Sequence, residues 1–121
     1  MKTQTLYELT KQLLAYVEES SVRFEEIKSS KIEADFYSEV KPFADKVKEL
    51  NDRWKNEAIL WLIETAPKNL HRNQIETTSD HIEIISIQAF FPQTSRKRFI
   101  DQFQSVKYVL ENILVHLDMK K

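Results

Sequence analysis

The chain contains no cysteine and no glycine, and only three prolines in 121 residues. Without cysteine there is no disulfide framework, thiolate nucleophile, iron–sulfur cluster or thiolate zinc site, and the composition suits a reducing compartment. The missing glycine excludes more, because glycine makes up about 7% of an average chain. The phosphate-cradling P-loop, the dinucleotide-binding fingerprint, the nucleophile elbow, the EF-hand loop and the Asn-Gly hairpin all depend on it. An excess of one charge is also lacking. Eighteen Lys and Arg face nineteen Asp and Glu, a net charge of −1, which gives no global attraction to nucleic acid or anionic membrane. No apolar run approaches the roughly 20 residues that span a bilayer, and Met1-Lys2-Thr3 leads into a polar pattern instead of a signal-peptide core. These features predict a soluble, cytoplasmic, single domain over residues 1–121.

What is present is helical periodicity. Thr5-Leu6-Tyr7-Glu8 has the form of a capping box, in which hydroxyl and carboxylate satisfy free N–H groups at a helix start. Leu6, Leu9, Leu13, Tyr16/Val17, Ser20, Phe24 and Ile27 then recur in steps of three and four, predicting a helix over about 6–28 with Ser20 as the one polar interruption. Residues 29–34 lose the period. Asp35 is placed to cap a short turn near 35–40, and Pro42 suits the first turn of a second helix, about 42–65. Its stripe is Phe43, Val47, Leu50, Trp54, Ala58 and Trp61/Leu62, and Pro67 ends it.

The third segment, about 70–90, carries Leu70, Ile75, Thr78, Ile82, Ile85 and Ala89 at helical spacing. Locally Ile82-Glu83-Ile84-Ile85-Ser86-Ile87 is rich in β-branched residues and would pass for a strand, but no ladder partner exists to satisfy its backbone. Helix is therefore predicted there. Thr94 or Ser95 can cap a fourth helix, about 96–118, with Phe99, Phe103, Val106, Leu110, Ile113 and Leu117 alternating in steps of four and three. Four amphipathic helices joined by short connections predict an all-α, antiparallel up-down four-helix bundle.

Several local patterns occur together: Asp35-Phe36-Tyr37 followed by Val40-Lys41-Pro42, the Arg53-Trp54 pair, Pro67 with His71 and Gln74-Ile75 downstream, and Arg96-Lys97-Arg98-Phe99. In this order the chain resembles the YppE-like family of small uncharacterised proteins from low-GC Gram-positive bacteria, over nearly its whole length. The resemblance implies an all-helical bundle. It brings no established activity and hence no catalytic residues.

Chemistry is hard to find in the residues themselves. Di-metal bundles use Glu-x-x-His pairs, yet Lys68, Thr78 and Ile113 stand three residues before His71, His81 and His116. His-x-x-x-His is absent as well, so no metal or other cofactor is expected. Ser79-Asp80-His81 has triad residue types, but helical neighbours point about 100° apart and read as an exposed polar patch. Glu57, between Trp54 and Trp61, could meet Thr78, His81 and Tyr108 as an acid/base centre. The plainer expectation is that Ala58 takes the core position and Glu57 reaches the flank.

Arg96, Lys97 and Arg98 form the first turn of the fourth helix, where the dipole favours acids. In an up-down bundle that turn shares an end with Lys28, Lys31 and Lys41 and with Phe36, Tyr37, Phe90 and Phe91. Cations interleaved with aromatics can bind phosphate. The simpler expectation is that the aromatics cap the core and the cations are merely solvated or paired with Glu33, Asp35 and Glu39. The function expected is a non-enzymatic binding or adaptor protein whose partner is another protein. The alternatives are weak anion or nucleic-acid binding through Arg96, Lys97 and Arg98 and, last, an enzyme centred on Glu57.

Overall fold

The structure, a computed structural model, describes residues 2–118. Four α-helices are joined in order: α1 (Lys2–Ser30), α2 (Lys41–Thr65), α3 (Arg72–Gln88) and α4 (Arg96–Asp118), with a π-helical turn (Phe36–Val40) between α1 and α2. There is no strand among the described residues. Helices α2 and α4 each pack against both α1 and α3, and α1 meets α3 across the diagonal. Cross-helix pairs give the directions. Thr10 meets Trp54 while Tyr16 meets Phe43, and Phe24 meets Phe99 while Glu18 meets Lys107. As one partner's number rises the other's falls, so α2 and α4 both run antiparallel to α1, and the pairs Asn51–Ser79 and Phe43–Phe90 set α3 antiparallel to α2.

The apolar stripes build one core. Leu6, Leu9, Leu13, Val17 and Phe24 from α1 pack with Val47, Leu50, Trp54, Ala58 and Trp61 from α2, and with matching positions of α3 and α4. Burying each large apolar side chain contributes roughly 1.5–3 kcal/mol before chain entropy is counted. The Ile-rich stretch of α3 is helical: Ile82 and Ile85 are buried, and Ile84 and Ile87 lie on the outer face. Phe103, although on the most regular stripe, is only partly buried.

Several buried polar groups find partners along and between helices. The Ser20 and Thr10 hydroxyls donate to Tyr16 O (3.0 Å) and Leu6 O (2.7 Å), the carbonyls one turn earlier. Trp54 Nε1 donates to Thr10 Oγ1 at 3.1 Å, and Asn51 Nδ2 to Ser79 O at 2.9 Å.

The helix ends depart from expectation in one place. The Thr5-to-Glu8 box lies inside α1, which already runs from Lys2, and Gln4 donates to the Glu8 carboxylate there (3.3 Å). The reciprocal arrangement that such a box describes occurs instead at the π turn: Asp35 accepts from Ser38 N (2.8 Å) while Glu39 accepts from Asp35 N (3.0 Å). Ser95 Oγ accepts from Arg98 N at the start of α4, and the Thr94 hydroxyl donates to Gln88 O at the end of α3. Where other chains place glycine, Lys31 (φ 59°), Ala66 (φ 43°) and Asn69 (φ 65°) take the left-handed conformation. The N–H groups of Lys31 and Ala66 close the preceding helices onto Ile27 O and Leu62 O.

Candidate binding surface

The π turn and the start of α4 lie at the same end of the bundle. Lys28 Nζ donates to Pro92 O at 3.0 Å, and Gln93 Nε2 to the Glu33 carboxylate at 3.2 Å. Beneath them the Phe24 and Phe99 rings stack in parallel with centroids 4.1 Å apart. Lys28 and Arg96 both lie over the Phe24 ring, at 5.7 and 5.5 Å.

The basic turn is partly neutralised. Arg96 pairs with Glu25 of α1 at 2.6 Å and Lys97 with Asp101 one turn on at 3.0 Å. Both pairs are exposed, a setting in which an ion pair is worth at most about 1 kcal/mol. Arg98 makes no ion pair among the described residues and remains exposed. The expected partners were different: neither Glu33, Asp35 nor Glu39 pairs with these cations, because the connection turns its carboxylates to Gln93, Ser38 and Asp35 N. Acceptance of the Ser38 N–H holds the Asp35 carboxyl below its ordinary value.

The aromatics at this end divide. Phe90 is buried, its ring edge-on to Phe43, and Phe91 is half-buried. Phe36 and Tyr37 do not cap the core; they are 50% and 78% exposed and lie edge to face at 5.2 Å. The π turn explains why. Its backbone bonds run from Val40 N to Asp35 O and from Lys41 N to Phe36 O. That spacing turns Val40 fully inward and leaves Phe36 and Tyr37 on the outside, with Ile32 of the same connection also exposed. Aromatic residue type alone carries no signal for this, since the register of a five-residue turn decides it.

The other sites considered from sequence come apart. Ala58 is buried and Glu57 half-buried on the flank, and neither a hydrogen bond nor an ion pair joins Glu57 to His81. Tyr108 shares a groove with Thr78, as expected, but Glu57 does not line it. Ser79 is buried, not part of an exposed patch, while Asp80 is exposed. No cluster of three or more His, Asp or Glu able to hold a metal ion occurs among the described residues. Among the described residues no helix is long and apolar enough to cross a membrane.

An all-helical bundle of four antiparallel helices, closed at one end by an aromatic-bearing π turn, defines the class. Within that class the chain belongs to a family described as a bacterial domain of unknown function, DUF1798, whose model matches residues 10–117. It is 33% identical over 113 residues to the uncharacterised protein YppE of Bacillus subtilis, covering 93% of this chain and 92% of that protein. The crystal structure of YppE superposes with a TM-score of 0.93 at 31% identity, covering 99% of this chain and 98% of the other. A protein of unknown function from Listeria innocua gives 0.94 at 28% identity, over 98% and 95%. None of these relatives has a described activity.

Proposed function

We propose that the protein is a non-enzymatic cytoplasmic adaptor that docks another protein through the end bearing the π turn. One observation carries this reading: Phe36 and Tyr37 stand in water on a turn that is already fixed, by the Asp35/Glu39 caps on one side and buried Val40 on the other. Rigid exposed aromatics are the side chains that dominate protein interfaces, and ordering them before contact removes part of the entropy cost of binding. Exposed Lys31 and Arg98 lie at the same end, so the partner presents an apolar pocket rimmed by carboxylates. Arg96 and Lys97 already hold carboxylates, which favours a protein over a free phosphate as the partner.

Photo-crosslinking in the host tests this, with the photoreactive residue at position 37 and, as a control, at position 63 on the far end of α2. A discrete adduct is expected from position 37 only. It should vanish with Phe36→Ser and weaken with the Lys97→Glu/Arg98→Glu pair. Equal adducts from both positions, or none from position 37, would overturn the reading. Salt-sensitive binding to a single-stranded oligonucleotide that Arg98→Glu abolishes would replace it with the nucleic-acid alternative.

A further inference from the structure

A groove of about 250 Å³ opens between α3 and α4, away from the π turn. Its walls are Asn73, Gln74, Thr77 and Thr78 from α3 and Ser105 and Tyr108 from α4, together with Val109. None of the residues lining it carries a charge, in a chain of which 31% is Asp, Glu, Lys or Arg. The cations beside it hold carboxylates: Arg72 pairs with Glu76 at 3.2 Å, and Lys107 turns to Glu18 of α1 at 3.7 Å.

We propose that this groove binds a neutral sugar unit. Each wall residue except Val109 offers an amide or hydroxyl. Amides and hydroxyls both donate and accept, matching the hydroxyls of a pyranose, which do the same. Gln74 Oε1 is held by His71 N at 2.8 Å, which fixes the side chain and leaves its Nε2 donors to the groove. Tyr108 is 67% exposed and supplies a ring face against which the C–H face of a sugar can lie, while Val109 is buried beneath. An anionic ligand would find no opposing charge here. An apolar ligand would strip water from six hydrogen-bonding side chains without replacing it. The volume is at the small end for ligand pockets, enough for one ring and not a chain. An open groove of that size binds weakly, with Kd on the order of 1 mM.

Amide chemical-shift titration of the ¹⁵N-labelled full chain tests the assignment, using glucose and N-acetylglucosamine as neutral probes, glucose 6-phosphate as the charged probe and cyclohexanol as the apolar one. Saturable shifts are expected at residues 73–78 and 105–109 with at least one neutral sugar. Glucose 6-phosphate and cyclohexanol should be at least fivefold weaker. Tyr108→Ala and Asn73→Ala, both at exposed positions that leave the fold intact, should each weaken binding at least fivefold. No saturable shift with either neutral sugar at tenfold the expected Kd, equal binding of cyclohexanol, or an unchanged affinity in Tyr108→Ala would each overturn the proposal. It stands independently of the π-turn surface, since Phe36→Ser should leave these shifts untouched.

Discussion

At one end of the bundle the α1–α2 connection and the α3–α4 turn hold each other, Lys28 to Pro92 and Gln93 to Glu33, above the stacked rings of Phe24 and Phe99. At the other end the chain passes from α2 to α3 through residues 66–71, closed by local backbone bonds and by the His71 N–H donated to Gln74 Oε1, and anchored by buried Leu70. Both ends expose large apolar side chains: Tyr37 at the first, and Ile63 at the second. Exposure therefore does not distinguish them. What differs is how firmly the exposed groups are held. The first end spends several side-chain hydrogen bonds on a connection that buries little besides Val40, whereas the second is a reversal of direction with an apolar plug.

The largest test of that contrast lies in the core beneath each end. Phe24→Ala or Phe99→Ala removes half of a stacked, fully buried pair and should cost about 3–5 kcal/mol in chemical denaturation. Leu70→Ala, a plug on a turn that can close over it, should cost about 2 kcal/mol. Equal losses would mean that the two ends are equally built.

Backbone strain comes next. Ala66 and Lys31 sit in left-handed conformations that cost residues with a Cβ about 1 kcal/mol or more. Ala66→Gly should raise stability by about 0.5–1 kcal/mol, read as an increased Tm, because relief of strain exceeds the added freedom of the unfolded chain. Lys31→Gly should gain less if the side-chain ties already hold its end rigid. A loss in both would show that these residues are not strained.

A smaller effect is expected at Arg96. Its exposed pair with Glu25 and its place over Phe24 predict that Arg96→Ala lowers stability by about 0.5 kcal/mol, a difference that shrinks in high salt. A loss that stayed the same in 1 M salt would assign the effect to ring packing alone.

The smallest concerns acid. Because the folded state holds the Asp35 carboxyl below its ordinary value, its contribution is present above the ordinary value and is lost as pH falls through the lowered folded one. The Ser38 amide resonance should move as this cap is protonated below the ordinary carboxylate range. In Asp35→Asn that movement should be absent, while the Tm at neutral pH changes little. An unchanged Ser38 signal in the native protein would place its hydrogen bond elsewhere.

Because steps of three and four report which side of a helix must leave water, helical periodicity located three of the four helices, and for α3 the lack of a ladder partner decided between helix and strand. The same logic placed Ile82 and Ile85 inward against their β-branched character, and it put Ala58 rather than Glu57 in the core. Other features depend on geometry that no local pattern encodes. Arg96 could be expected to need a carboxylate, but choosing Glu25 over Glu33 requires the rotation of α1 against α4. Phe36 and Tyr37 could be assigned to the right end, but their exposure follows from a π turn, in which one extra residue per turn redirects every side chain. Thr5 matched a cap only because nothing in the pattern says that a helix has already begun.

Four amphipathic helices of similar length can pack against each other at many heights, since one leucine replaces another with little loss. Asn51 and Trp54 remove that freedom. Their side chains reach Ser79 O on α3 and Thr10 Oγ1 on α1, so sliding either neighbour by one turn, about 5.4 Å, would strand a buried amide or indole in hydrocarbon. Two hydrogen bonds thus act as a combination lock on three helices. They widen the energy gap between the native arrangement and its near-copies, and they leave the surrounding apolar side chains free to exchange for others of similar volume without altering where any surface group stands.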